Sequence, residues 1–186
     1  MKIELSLTYI NNNFGKPNRH GEWGLRSDQK KYTLYIDKVP VINISIEYER
    51  FDTSKPNYSC AYILYDNLFF SENNSKYNNK GYATIALENI TEALLREGNV
   101  PRISLNILPN NKASQKVAEK VGFIHIRNDE YSIFNPHAIK MYEEGLSYLK
   151  GYDDEIYNLQ LKKFIQDFKK YIDSISIPPQ TKTSKL

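Results

Sequence analysis

Four stretches in the first 65 residues alternate apolar and polar side chains with a period of two. "KIELSLTYI" sets Ile3, Leu5, Leu7 and Tyr9 on one face and Lys2, Glu4, Ser6 and Thr8 on the other. "KYTLYID" and "VINISIEYER" alternate on either side of "DKVP", and "YSCAYILY" follows the turn signal "DTSKPN". Successive side chains on a strand point to opposite faces, so this pattern belongs to strands with one buried face. Turn-rich connections of this kind join antiparallel neighbours. Four strands are therefore expected before any helix.

Between and after them the signals change. "NNNFGKPNRHGEWGLRSDQ", residues 11–29, is rich in Asn, Gly and Pro and reads as a long loop with room for a short strand near Trp23. Residues 66–79 are polar and irregular apart from "LFF". A helix then begins at Tyr82, with Tyr82, Ala86, Ile90, Ala93 and Leu94 on one stripe and Ala83 and Leu87 beside it. Gly98 and Pro101 end it. "RISLNIL" alternates as a strand. "PNNKASQKVAEKVGF" reads as a short helix capped by Asn110 or Asn111 and ended by Gly122. "FIHIR" and "YSIF" are expected to pair across "NDE", with Phe123, His125 and Arg127 on one face. Asn135–Pro136 opens a further helix. Asp153 and Asp154 open a longer one, striped by Tyr157, Leu161, Phe164, Ile165, Phe168, Tyr171 and Ile172.

Composition excludes several classes of function. With 40% hydrophobic and 25% charged residues in 186, the chain has enough apolar material for a full core. The net charge of +3, from 25 basic and 22 acidic side chains, is too balanced for a nucleic-acid partner, and the paired lysines read as solvated faces. Cys60 is the single cysteine, so no intramolecular disulfide forms, which fits a reducing compartment. No signal peptide or membrane-length apolar run is evident, so the expectation is a cytoplasmic protein without a membrane partner. His20, His125 and His137 lack metal-ligand spacing, and no metal is expected.

"YNNKGYATIALENI" places Gly81 at the front of a helix. The first turn of a helix has N–H groups without internal partners at the positive end of its dipole, and a glycine turn lets that backbone approach an anion. One glycine alone reads first as a plain turn. The stretch lacks the nucleotide-hydrolase phosphate loop and the three-glycine dinucleotide fingerprint.

Taken together, "NNKGYATIAL" and "NILPNNKASQKVAEKVGF" resemble the GNAT superfamily of acyl-CoA-dependent N-acyltransferases, in the form typical of its ribosomal-protein N-terminal acetyltransferase branch. Gly81 and Ala83 match the family's Arg/Gln-x-x-Gly-x-Gly/Ala turn. Asn111, Ala113, Ser114, Glu119, Lys120, Gly122 and Phe123 match its second block. The resemblance covers roughly residues 58 to 127. It implies an α/β (α+β) fold, a mixed and largely antiparallel sheet with helices on both faces, to which the helical pattern after Asn135 adds a C-terminal helical extension. The corresponding division is a GNAT-like domain at 1–135, an extension packed on it at 136–175 and a flexible tail at 176–186.

The resemblance also implies a site. Asn78, Asn79, Lys80, Gly81, Tyr82, Ala83 and Thr84 would hold the pyrophosphate of acetyl-CoA. A backbone N–H among Tyr62, Ile63 and Leu64 would polarise the thioester carbonyl, and Asn111 would bond the pantetheine arm or simply cap its helix. The acceptor is an amine of unassigned class, attacked directly in a ternary complex. A carboxylate from Glu22, Glu47 or Glu49, with Glu47 preferred, would be the base. Ser114 would meet the thiolate, with Tyr131 as a further candidate acid. Two positions depart from the family: Asn78 replaces the first-motif Arg or Gln, and Ala118 replaces the tyrosine often found before E-K-x-G-F. The alternative is a GNAT-fold protein that binds acyl-CoA or a partner with little catalysis. The chain is expected to be a monomer or homodimer.

Overall fold

The computed structural model describes residues 1–11, 28–51, 57–67, 76–77 and 79–176, with the backbone alone at 11 and 65–67. The expected strand near Trp23, the "LFF" stretch, Glu22, His20, Asn78 and 177–186 lie outside the described residues.

The alternating stretches become β1 (Ile3–Asn11), β2 (Asp28–Ile36), β3 (Val39–Arg50) and β4 (Tyr58–Asn67). Each pairs antiparallel with the next. The β2–β3 turn is tighter than "DKVP" suggests. Asp37 and Lys38 alone make it, at φ 48° and 70°. Such positive angles at both turn positions match the right-handed twist of a two-residue hairpin. Val39 and Pro40 belong to β3, where a register shift accommodates the proline's missing N–H.

After β4 come α1 (Tyr82–Glu97), β5 (Arg102–Asn106), α2 (Lys112–Val121), β6 (Ile124–Arg127) and β7 (Glu130–Phe134). The described strands form one sheet in the order β1-β2-β3-β4-β5-β7-β6. Its β4–β5 pair is parallel, and the other neighbours are antiparallel. A parallel pair needs a crossover, and α1 supplies it. Gly98 at φ 65° closes α1, and Gly122 at φ 99° closes α2, where Phe123 N–H returns to the Ala118 carbonyl.

One sheet face packs on α1. Ile42, Ile44, Ile46, Ala61 and Ile63 meet Ala86, Leu87, Ile90 and Leu94, and the same core continues to Leu105, Ala118 and Phe123. Each large apolar side chain buried this way contributes roughly 1.5–3 kcal/mol. At the end of α1, Glu97 accepts from Lys30 Nζ of β2 at 2.9 Å.

The opposite face of β5, β7 and β6 is covered by α3 (Ala138–Gly145), a 3-10 turn at Leu146–Leu149, and α4 (Asp154–Ser176). Ile126, Phe134, Ala138 and Phe164 form its core, with Tyr142 stacked on Phe164 at 3.8 Å. Helices thus lie on both faces. Asn135–Pro136 precedes α3 without entering it: the Asn135 side chain accepts from His137 N–H, and the helix starts at Ala138. Asp153 caps α4 through Ile156 N–H at 3.0 Å.

Three expectations fail for identifiable reasons. The apolar stripe of β1 is largely exposed, with Leu7 at 48%, because β1 is an edge strand and a bulge after Leu7 shifts its register. Arg127 does not share the face of His125. The register shift between them turns it towards α4, where it pairs with Asp167. Ile172 falls off the buried stripe of α4 and is 38% exposed.

Gly145 marks the tightest packing of the extension. A Cβ there would lie 2.1 Å from the Phe51 ring, although its helical backbone suits alanine. Gly145→Ala is expected to cost about 1–3 kcal/mol by pushing Phe51 off Tyr142. Urea unfolding monitored by circular dichroism measures it, and an unchanged midpoint would refute the packing.

Candidate functional site

The sheet opens between β4 and β5. Their ladder consists of two rungs, Ala61 with Ile103 and Tyr62 with Ser104, although β4 continues to Asn67 and β5 to Asn106. Alternate backbone groups of a strand face each neighbour. Beyond Tyr62 the two strands share no further rung.

Both helices on the first face start at that open end. α1 follows β4 in the chain and returns to the start of β5, so its N-terminus lies towards the C-terminal ends of the two parallel strands. Open α/β sheets bind ligands at that end. Gly81 is the N-cap of α1 at φ 79°, and no side chain caps the helix. No acidic residue stands in its first turn. Asn79 is also left-handed, at φ 57°. The leading N–H groups of Tyr82, Ala83 and Thr84 are therefore not taken by a capping side chain, and the dipole makes them attractive to an anion. A Cβ built on Gly81 meets nothing within 4 Å, so the glycine is demanded by its backbone angle and leaves open space before the helix. Asn79 and Lys80 are exposed beside it.

The other expected residues divide between the two faces. Tyr82 is buried, its ring 6.2 Å from that of Tyr77, and Ala83 packs against the core, so both offer backbone. Ile63 is buried towards α1, whereas Leu64 is 48% exposed. Asn111 caps α2, its Oδ1 accepting from Ser114 N–H at 3.1 Å. This satisfies the capping alternative and commits that oxygen. Ser114 is half-buried on α2. Tyr131 pairs with Leu105 on the α1 face, and its buried ring lies 5.1 Å from His125. Ala118 is wholly buried.

Glu47 lies on the other face. It stands opposite Tyr62 on β3, and its carboxylate accepts from Gln29 Nε2 at 2.8 Å. Glu49 stands opposite Cys60 and accepts from Ser59 Oγ at 3.1 Å. The three expected catalytic residues are thus not one cluster: Ser114 and Tyr131 lie on the α1 side of the sheet, and Glu47 on the other.

On this second face sits a polar group that sequence reasoning missed. Ser104 and Ser132 share a 2.8 Å hydrogen bond under Glu130, and Glu130 pairs with Arg102 at 3.1 Å. Asp167 of α4 reaches Arg102 and Arg127. Burial disfavours the Arg102 charge, but Cys60, Glu130 and Tyr62 outweigh it and hold the guanidinium protonated. Alternating Arg and Ser in "RISLN" was the available signal. Tyr62 and Tyr142 border the same group, and burial pushes both hydroxyls above the usual tyrosine range.

Residues 58–124 match the family described as the acetyltransferase (GNAT) domain. The matched segment contains both strands of the opening, the glycine turn, α1 and α2. Among solved structures, a ribosomal L7/L12 alpha-N-protein acetyltransferase in complex with coenzyme A is 17% identical over 57% of this chain and 62% of its own, with a TM-score of 0.45. The ribosomal-protein-S5-alanine acetyltransferase from Vibrio fischeri is 20% identical over 58% and 62%, with a TM-score of 0.45. An aminoglycoside acetyltransferase in complex with coenzyme A is 15% identical over 62% and 70%, with a TM-score of 0.46. The chain thus spans less than two thirds of the length of the first two. No curated protein matches it in sequence.

The cap gives a test at Asn111. Asn111→Ala should lose about 1 kcal/mol of stability, and Asn111→Ser should recover most of it. Chemical denaturation of the three proteins checks this, and equal stability of wild type and Asn111→Ala would remove the cap.

Proposed function

We infer that this chain, whose residues 58–124 match the acetyltransferase (GNAT) domain, belongs to that family and transfers an acetyl group from acetyl-CoA to a primary amine. The observation that supports this most is the coincidence of the matched segment with the opened β4–β5 ladder and the uncapped start of α1.

The residues fit the donor. Backbone N–H groups at Gly81, Tyr82, Ala83 and Thr84 offer an anion site of the kind a pyrophosphate requires, with Lys80 exposed beside it. Acetyl-CoA supplies an activated acyl carbon and a thiolate leaving group. A backbone N–H of β4 at the end of the ladder polarises the acyl carbonyl, a stabilisation that strengthens as charge develops on the oxygen. The acceptor amine approaches from the face of Glu47 and Glu49. Glu49 suits a base reached through water because it is exposed, with Ser59 Oγ donating to its carboxylate; Glu47, opposite Tyr62, is less exposed and accepts from Gln29. Either takes the amine proton through water. We place the enzyme in the cytoplasm, as a monomer or homodimer.

A second reading, acyl-CoA binding with little turnover, draws on Ala118, which puts an inert methyl where a proton donor is expected.

Calorimetric titration with acetyl-CoA should give saturable binding. Gly81→Asp should abolish it by setting a negative charge against the pyrophosphate, while Gly81→Ala should keep it at a stability cost of about 1 kcal/mol. Normal binding by Gly81→Asp would sink the site assignment. Thiol release across a panel of amines then separates the readings, since binding without release supports the second.

A further inference from the structure

Attack of an amine on a thioester expels a thiolate, and a thiolate left unstabilised returns to the acyl carbon as readily as it departs. Some group must therefore meet the sulfur as negative charge grows on it. Ala118 has no polar atom to offer. Ser114 and Tyr131 remain on the α1 face, where Ser114 stands in the first turn of a capped helix and the Tyr131 ring is buried beside His125.

Tyr62 is placed differently. It forms the last rung of the β4–β5 ladder, at the point where the strands stop pairing. Alternation turns its side chain to the face opposite Ala61 and Ile63, which pack on the α1 core. Its hydroxyl makes no hydrogen bond to another described residue and is not sealed from solvent. A half-buried phenol at the last rung of the parallel ladder, with no hydrogen bond to another described residue, has a donor to offer a ligand. The groups around it are Glu47 and Glu49 on β3, Cys60 on its own strand, Arg102 on β5 and Glu130 on β7, with Tyr142 of α3 bordering the same cluster.

Resting on the acetyltransferase reading above, we propose that Tyr62 is a catalytic residue whose hydroxyl donates a hydrogen bond to the departing sulfur and stabilises it as a thiolate. Tyr62 keeps its own proton throughout. The acceptor nitrogen bonds to the acyl carbon, and the carbon–sulfur bond breaks with its electron pair going to sulfur. Glu49 takes the proton released by the nitrogen and passes it through water to the thiolate, so one proton moves from nitrogen to sulfur and the protein is unchanged. Burial, with Cys60 and Glu49 adding to it and Arg102 opposing, holds the phenol above the usual tyrosine range. That suits a residue that must remain an O–H donor and not ionise.

The test uses the full chain, free CoA and the variant Tyr62→Phe, which preserves the ring. In wild type, the thiol of bound CoA, titrated through thiolate absorbance, should ionise at lower pH than free CoA. In Tyr62→Phe, calorimetric affinity for acetyl-CoA should hold, the bound thiol should ionise nearer the pH of free CoA, and kcat should fall roughly a hundredfold. An unshifted thiol in wild type, or one unaffected by Tyr62→Phe, overturns the proposal. So does a shift lost in Tyr131→Phe or Ser114→Ala and kept in Tyr62→Phe. If wild type binds no acetyl-CoA, the acetyltransferase reading falls and this inference with it. Binding and turnover with an unaffected thiol fail this inference alone.

Discussion

The two-rung parallel ladder between β4 and β5 is the constraint on which the rest of the structure depends. Parallel neighbours cannot be joined by a hairpin, so the chain must leave the sheet and cross over through α1. That crossover brings an uncapped helix start to the C-terminal ends of both strands. Had the ladder continued past Tyr62, backbone pairing would have filled the space that its end leaves open. An uncapped helix start leaves backbone N–H groups without intramolecular partners, a cost that a fold bears where a ligand or water replaces them.

The two faces at this opening differ in chemistry. The α1 face is apolar, from Ile46 and Ile63 through Leu105 to Phe123, and fixes the strands by packing. The other carries Arg102, Glu130, Arg127 and Asp167, with Ser104 and Ser132 beneath them. Bringing charges under a helix is expensive in desolvation, and mutual pairing offsets it only with good geometry. The network therefore fixes where α4 sits more than it adds stability. Lys170 of α4 also reaches the Ile126 carbonyl, which ties the helix to β6. α3 in turn brings Tyr142 to the border of the cluster, so the C-terminal helices help shape the surroundings of Tyr62.

Local patterns carried much of this into the sequence. Period-two alternation located β2, β3 and β4 because each is an inner strand with one face on α1. It misjudged β1, since alternation records which residues share a face and not whether anything covers it. Capping residues were legible for a similar reason. Gly98, Gly122, Asn111 and Asp153 act on backbone atoms within a few residues of themselves. Arg127 escaped because a single bulge reverses the face of everything beyond it, and the bulge arises from pairing with β7.

The sequence by itself determined the strands, the helix ends, the glycine turn and the family resemblance, all of which rest on neighbours close along the chain. Tertiary structure alone decided that the β4–β5 ladder stops at Tyr62 and that Ser114 and Glu47 approach from opposite faces. It also decided that Arg102 meets Asp167, 65 residues onward, under α4. Those facts depend on register and on which strands become neighbours, and such long-range pairings leave no period in the sequence.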